Sequence, residues 1–183
     1  VLRGVFLMTQ AELDWFYGGG AGAFFPDLWQ RFVAPIPEED RADLIAAYHR
    51  RLFSGNLAEE TRYGRAWAQW ENALASIHQE EMYGESPADY ARAFSRLENH
   101  YFINKGFLAE DDWIVKNRGR IEATGATIVQ GRYDMVCPPI SAWRLAQGWS
   151  RAQLQLVGLS GHALSEPAIS EALVKAMDGL RAG

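Results

Sequence analysis

The sequence has very little cysteine, no long apolar run and no excess of positive charge. Cys137 is the only cysteine among 183 residues, which excludes a disulfide within the chain and favours a reducing cytoplasm as its location. Lysine and arginine total 18 against 23 acidic residues, and the net charge of −5 argues against a nucleic-acid partner. No apolar stretch approaches the ~20 residues that a membrane-spanning helix needs, so no membrane partner is expected.

The sequence begins with valine rather than methionine, and we expect no signal peptide in its first residues. The stretch from Val1 to Met8 is too short for a secretory leader and has no cleavage signature. It has the composition of a core strand, so we expect the chain to begin inside a larger fold. Aromatic residues are plentiful by contrast, at 13% with seven tryptophans. Such residues concentrate in cores and binding pockets, which favours a pocket protein.

Local signals predict an α/β fold that a helical block interrupts. Predicted strands, rich in apolar or β-branched residues, cover 1–7, 126–131 and 153–157. Predicted helices occupy almost all of 9–105, beginning with a Thr9–Glu12 capping box, and return over about 140–148 and from Glu166 onward. This order predicts a parallel sheet with an inserted helical block. One strand comes first, about a hundred helical residues follow, and the chain then alternates strand, helix, strand, helix.

An acid and a histidine follow the last two predicted strands. Asp134 comes just after strand 126–131, and His162 comes just after strand 153–157. Ligands of open α/β sheets bind beyond the carboxyl ends of the strands, and the order Ser, Asp, His is that of α/β-hydrolases. Asp134 would orient His162, which would act as general base and then as general acid. The plainer interpretation is a turn-forming aspartate and a solvated loop histidine.

The nucleophile that such a pair needs is missing from the chain. No Gly-x-Ser-x-Gly motif occurs, and Ser54 and Ser160 precede a glycine without the rest of that pattern. Cys137 lies only three residues after Asp134 and is a poor substitute. If the triad exists, we expect its nucleophile upstream of Val1.

Two glutamates, Glu71 and Glu98, fall within aromatic faces of predicted helices. The residues at helical spacing are Trp67, Trp70 and Leu74 around Glu71, and Phe94, Leu97 and Tyr101 around Glu98. A buried carboxylate needs a cation or a proton, so two acids beside aromatic rings suit an ammonium ligand. The alternative is that both reach water or an arginine at the edge of the face. Four arginines are available for this, namely Arg62, Arg65, Arg92 and Arg96.

Signals for a metal or a cofactor are weak. His78, Glu80 and Glu81 could supply ligands, but a solvated helix end is the favoured interpretation. The glycines at 18–20 lack the preceding strand and following helix of a phosphate-binding loop. No metal and no cofactor are therefore expected.

Six segments together resemble the prolyl aminopeptidases, a family of α/β-hydrolases with a helical cap. They are Val-Leu-Arg-Gly-Val-Phe at 1–6, Phe-Phe-Pro at 24–26, Trp-Glu at 70–71, Glu-Asn-His-Tyr-Phe at 98–102, Gly-Arg-Tyr-Asp-Met-Val-Cys-Pro at 131–138 and Gly-His at 161–162. The resemblance implies that Asp134 and His162 are two members of a catalytic triad. It implies that Glu71 and Glu98 bind the free amino group of a peptide substrate that begins with proline. Three further positions match the surroundings of the proline ring, namely Phe6, Phe16 and Cys137.

The resemblance also implies a domain organisation. Residues 1–8 would be a core strand after the nucleophile helix, 9–121 the helical cap and its return, and 122–183 the C-terminal core with the acid and the histidine. The family's serine elbow and oxyanion segment do not occur in this sequence, so the chain alone is expected to be inactive. Two alternatives stay open: another capped α/β-hydrolase, such as an esterase or epoxide hydrolase, and a non-enzymatic binding module. The sequence gives no indication of the oligomeric state.

Overall fold

The computed structural model describes residues 1–77 and 85–181, which form eight α-helices and three β-strands. The strands are β1 (Leu2–Arg3), β2 (Ala126–Gly131) and β3 (Ala152–Val157). The helices are α1 (Gln10–Tyr17), α2 (Pro26–Val33), α3 (Leu44–Leu52), α4 (Leu57–Ala75), α5 (Ala88–Ile103), α6 (Trp113–Lys116), α7 (Pro139–Ala146) and α8 (Pro167–Arg181). The weak metal candidates His78, Glu80 and Glu81 lie outside the described residues.

The three strands form one parallel sheet in the order β1-β2-β3. Strand β2 pairs with β3 along its whole length, from Ala126 opposite Ala152 to Gly131 opposite Val157. The prediction of strand 126–131 is confirmed, and β3 extends the predicted strand 153–157 by one residue. The predicted first strand is wrong in length, because Gly4 takes a φ of +53°, which lies outside the β region and ends β1 at Arg3.

The chain divides into two compact units, of which the first contains the sheet. It comprises Val1–Glu12, Leu74–Gln79 and Ala109–Gly183. Successive side chains of β2 point to opposite faces of the sheet. Ile128 packs with Leu145 of α7, while Val129 packs with Ile169 of α8. Helices therefore cover both faces of β2, as the alternation of strands and helices predicts for a parallel α/β sheet.

A buried capping box connects β1 to α1 in the first unit. The Thr9 N–H donates to Glu12 Oε2 at 2.8 Å, and the Glu12 N–H donates to Thr9 Oγ1 at 3.3 Å. Glu12 also accepts hydrogen bonds from the Leu7 N–H and the Ser141 hydroxyl. The predicted helix start at Gln10 is confirmed.

The second unit, Leu13–Ala73 and Glu80–Leu108, is helical in its described part, as predicted. Its core is aromatic, with Phe32 stacked on Tyr48 at a centroid distance of 4.7 Å and on Trp70 at 5.6 Å. The predicted helical block of 9–105 is interrupted before α3, where residues 38–40 form only one short 3-10 turn. Helix α3 begins only at Leu44, where Asp43 caps it by accepting the Ala46 N–H.

The aromatic face predicted for α5 is wrong. Leu97 and Tyr101 are exposed, and α5 instead buries its small and polar residues, namely Ala91, Ser95 and Asn99. The reason is a polar contact with α3, because the Asn99 side chain donates to the Ile45 carbonyl at 2.9 Å and its Oδ1 lies 2.7 Å from His49 Nδ1. Among residues 1–77 and 85–181, no helix combines the length and the apolar composition needed to cross a membrane.

Candidate functional site

The first unit brings Asp134 and His162 into direct contact. His162 Nδ1 lies 3.0 Å from Asp134 Oδ2, although the two residues are 28 positions apart. The contact arises because β2 and β3 are parallel neighbours whose carboxyl ends meet at one edge of the sheet. The Asp134 side chain is only 1% exposed, whereas that of His162 is 22% exposed. The acid is therefore shielded from water while the imidazole stays accessible.

The Asp134 carboxylate accepts hydrogen bonds on both oxygens. Oδ1 accepts the Val136 N–H at 3.0 Å and the Cys137 N–H at 2.7 Å, so the turn-forming interpretation of this aspartate is also correct. Oδ2 accepts from the Gln130 side-chain amide at 2.9 Å and faces His162. Three donors thus hold the carboxylate in one orientation, and Oδ2 can hold the Nδ1–H tautomer of His162.

The loop that carries His162 is tied to the residue that ends α4. The His162 and Ala163 N–H groups both donate to the Ala75 carbonyl, at 2.8 and 2.7 Å. Buried Glu166 accepts the Gly161 N–H at 2.8 Å and the Ile77 N–H at 2.9 Å. These bonds anchor the backbone of a glycine-containing loop to the end of α4 and to Glu166. The backbone that carries the imidazole is therefore held in place.

The residue after β1 completes the surroundings of the imidazole. A Cβ at Gly4 would lie 2.7 Å from His162 Cε1, so only glycine allows the backbone and the ring to approach this closely. The Arg3 guanidinium donates to the His162 carbonyl oxygen. Both residues lie in the segment 1–6 that resembles the prolyl aminopeptidases, but that resemblance implies no role for either of them.

The second unit contains the pair of glutamates. Glu71 is buried on α4 and accepts a hydrogen bond from the Tyr17 hydroxyl. Glu98 on α5 accepts from the Trp67 indole, with 3.0 Å between Nε1 and Oε2. Burial raises the pKa of the Glu71 carboxyl well above its usual value, the nearby Glu98 charge raises it further, and the Tyr17 hydrogen bond opposes the shift. The two carboxyls therefore disfavour each other's ionised form.

The four arginines proposed as alternative partners interact with other groups. Arg65 pairs with Glu85 at 2.7 Å and Arg96 with Glu60 at 3.3 Å. Arg92 binds Asp89, and Arg62 lies 5.4 Å from the centre of the Tyr63 ring. Their positive charge is thus directed toward groups other than Glu71.

Aromatic rings surround the glutamates, as their spacing predicts for α4. The Tyr17 ring stacks on Trp67 at 4.5 Å, lies 5.4 Å from Phe102 and meets Phe16 edge-on at 4.9 Å. Phe16 is itself buried, and its carbonyl accepts from the Trp70 indole at 3.1 Å. Electron-rich ring faces beside carboxylates form an environment that favours an organic cation.

The predicted site residues are divided between the two units. Asp134 and His162 lie in the first unit, together with half-buried Phe6 and buried Cys137. Glu71, Glu98 and Phe16 lie in the second. Within the part of the chain that the structure describes, no group of three or more His, Cys, Asp or Glu side chains is arranged to hold a metal ion.

The chain is similar over nearly its whole length to several curated proteins. It is 46% identical over 181 residues to a proline iminopeptidase of Xanthomonas citri, with 98% of the chain and 58% of the relative covered. It is 44% identical to an Arabidopsis thaliana protein of the same name, covering 100% of the chain and 49% of the relative. A third, from Xylella fastidiosa, is 42% identical, covering 97% and 58%. Each of these three proteins is named proline iminopeptidase, and the chain is similar in sequence to all of them.

That relationship confirms the resemblance found in the sequence motifs. The chain spans only about half the length of the curated relatives it matches. No protein-family model matches it.

Four residues with a part in these sites were missed by the sequence analysis. They are Gly4, Tyr17, Gln130 and Glu166. Gln130 had a visible signal, because an amide side chain follows the apolar pair Ile128 and Val129 within the strand. Glu166 has only the signal of a helix start, and nothing in the sequence distinguishes Tyr17 from its neighbour Phe16. The roles of all four depend on contacts with residues distant in sequence, which no local pattern specifies.

Proposed function

We propose that the complete protein containing this chain is a serine exopeptidase of the prolyl aminopeptidase type, which releases N-terminal proline from peptides. The names of the relatives support this, as does the contact between Asp134 and His162 at the strand ends. The sequence has no Gly-x-Ser-x-Gly motif and matches about half of each relative. We therefore propose that the serine and the oxyanion-binding segment lie outside these 183 residues and that the chain alone is inactive.

The proposed architecture is part of an α/β-hydrolase sheet with an inserted helical cap. Residues 1–8 would be a core strand, 9–121 the cap and its return, and 122–183 the C-terminal core. The parallel order of the three strands and the helical second unit support this organisation. The single cysteine, which is buried, suits a reducing compartment, and we propose a cytoplasmic location.

In the proposed mechanism, His162 transfers protons and Asp134 orients it. With Nδ1–H held by Asp134 Oδ2, the lone pair of Nε2 accepts the proton of the serine hydroxyl as Oγ bonds to the carbonyl carbon of proline. When the peptide C–N bond breaks, His162 gives that proton to the leaving amine. Water then attacks the acyl-enzyme and His162 takes one of its protons. As the bond between the acyl carbon and Oγ breaks, His162 returns that proton to Oγ, which releases free proline and restores the serine hydroxyl.

The observation that carries the choice of substrate is the burial of Glu71 beside Glu98 and among aromatic rings. Two carboxylates that share such a site are unstable without a proton or a cation. An N-terminal proline carries a secondary ammonium with two N–H donors, which matches two carboxylate acceptors. An exopeptidase that removes a single N-terminal residue needs such an anchor, because binding the terminal charge places the first peptide bond at the nucleophile.

The burial of Glu71 beside Glu98 argues against another capped α/β-hydrolase, and the contact between Asp134 and His162 argues against a binding module. An esterase or an epoxide hydrolase acts on neutral groups and has no need for a buried acidic pair. A binding module would need neither the contact between Asp134 and His162 nor the shielding of Asp134.

The test is an assay of the complete gene product on L-proline 4-nitroanilide. We expect turnover that a serine-directed phosphonofluoridate abolishes and that His162→Ala lowers by about 10³-fold or more. Turnover unaffected by His162→Ala would refute the function.

A further inference from the structure

Gln130 is a fully buried polar residue at the carboxyl end of β2. Its strand neighbours Ile128 and Val129 are apolar and also fully buried. Burying a side-chain amide costs free energy unless its hydrogen-bonding groups find partners. A glutamine in this position therefore needs specific contacts that offset that cost.

The structure provides a partner for each group of the amide. Oε1 accepts the Val5 N–H at 3.2 Å, and Nε2 donates to Asp134 Oδ2 and to the Cys137 carbonyl, both at 2.9 Å. Only one orientation of the amide fits, because the flipped one would place NH2 against the Val5 N–H and Oε1 against two acceptors. Gln130 is consequently held by groups from two separate segments, Val5 on one side and residues 134–137 on the other.

Each of these contacts leads to the Asp134–His162 pair. Asp134 Oδ2 is the oxygen that faces His162 Nδ1, and the Gln130 amide is a further donor to that same oxygen. The Cys137 N–H donates to Asp134 Oδ1, so the same short segment is held through its carbonyl by Gln130 and through its N–H by the acid. Val5 directly follows Gly4, whose backbone packs against the imidazole ring.

We propose that Gln130 is a positioning residue, whose amide keeps Asp134 Oδ2 aligned with His162 Nδ1 while the backbone beneath the imidazole is held in place. This rests on the proposed roles of Asp134 and His162. Gln130 itself touches no reacting atom. It acts by maintaining the Nδ1–H tautomer, which keeps Nε2 able to accept the proton of the nucleophile.

The chemistry of the position favours an amide over other side chains of similar size. Methionine fills a similar volume but offers no donor and no comparable acceptor. Glutamate is isosteric, yet its ionised form cannot donate and would place a second negative charge beside Asp134. Glutamine alone accepts from the Val5 N–H and donates twice.

The experiment compares the complete gene product with its Gln130→Met variant. The matched control is Gln155→Met, since Gln155 is an exposed residue of β3. We expect Gln130→Met to lower kcat on L-proline 4-nitroanilide by about 10- to 100-fold with KM changed less than about twofold, because misplacement affects chemistry more than binding. The ring ¹⁵N signals of His162, assigned by their loss in His162→Ala, report the tautomer. In Gln130→Met we expect the Nδ1 and Nε2 signals to move toward each other as the tautomers mix.

Gln130→Glu provides a second measurement if the methionine variant does not fold. When protonated, the introduced carboxyl donates one hydrogen bond, and when ionised it donates none. Its deficit in kcat relative to the wild-type protein should therefore grow as the pH rises, a change that a packing defect would not produce.

The outcomes separate this proposal from the proposed function. Wild-type kcat and unchanged His162 signals in Gln130→Met, or a deficit in Gln130→Glu that does not vary with pH, would overturn the positioning role. Full activity in His162→Ala would instead refute the proposed function, whatever the Gln130 variants show.

Discussion

The backbone of Gly4 packs directly against the imidazole of His162. A Cβ at residue 4 would lie 2.7 Å from His162 Cε1 and 3.1 Å from Nδ1, and Gly4 has a φ of +53°. In Gly4→Ala the ring must move, so we expect kcat on L-proline 4-nitroanilide to fall by about 10²-fold in the complete gene product. A positive φ also costs alanine about 1 kcal/mol of folding free energy.

Gly55→Ala separates the two effects. Gly55 has a φ of +80°, but a Cβ there meets no atom within 4 Å. We expect a similar loss of unfolding free energy and an unchanged kcat. Equal kcat values for the two variants would show that the contact between Gly4 and His162 does not affect catalysis.

The buried carboxyl of Glu71 should make the stability of the ligand-free protein depend on pH. The pKa of the Glu71 carboxyl is raised in the folded state, mainly by burial. The stability that its protonated form contributes is therefore fully present below pH 4.5, the ordinary pKa of this carboxyl. That contribution is lost as the pH rises through the raised pKa of the folded state. Each unit of difference corresponds to about 1.4 kcal/mol. Relative to the wild-type protein, Glu71→Gln should therefore become progressively more stable with rising pH, as measured by chemical unfolding.

A control for this prediction lies on the same helix. Glu59→Gln removes a partly exposed carboxylate near the start of α4. Its difference in stability from the wild-type protein should vary much less with pH. A Glu71→Gln curve parallel to the wild-type curve would mean that Glu71 ionises in the folded protein as it does in water.

Glu166 should matter for both stability and activity. It accepts the Gly161 and Ile77 N–H groups, and in Glu166→Gln an NH2 group must face one of these donors. An unsatisfied buried donor costs about 1–3 kcal/mol, and the His162 loop loses one of its attachments. We expect that loss in urea unfolding together with a lower kcat, whereas Glu171→Gln, exposed on α8, should change neither.

The pattern of strands and helices was predictable because it depends on local composition. Strand 126–131 and the helix start at Thr9–Glu12 follow from residues that are neighbours in sequence. The end of β1 was not predictable, since Gly4 leaves the β conformation to approach His162, almost 160 residues later. The exposed face of α5 was also missed, because the hydrogen bonds of Asn99 to α3 decide which side is buried.

The candidate site was predictable where parallel topology brings residues together. Asp134 and His162 meet because they follow adjacent parallel strands, and that adjacency was inferred from the alternation of strands and helices. The supporting residues were not predictable, because Gln130 also binds the Val5 N–H and Glu166 the Ile77 N–H, and both are backbone groups of segments distant in sequence. Such contacts are independent of the identity of their partners and leave no sequence pattern.

The proposal that Glu71 and Glu98 bind the terminal ammonium is tested most directly with two substrates. They are L-proline 4-nitroanilide and its N-acetyl derivative, which has no terminal ammonium. We expect the complete gene product to cleave the free-amino substrate with a far higher kcat/KM. Glu71→Gln and Glu98→Gln should each reduce that preference by about 10²- to 10³-fold, the effect of breaking a buried ion pair. Glu60→Gln, a buried carboxylate of α4 that pairs with Arg96, should preserve it. Equal cleavage of both substrates by the wild-type protein would contradict the proposal that Glu71 and Glu98 bind the terminal ammonium.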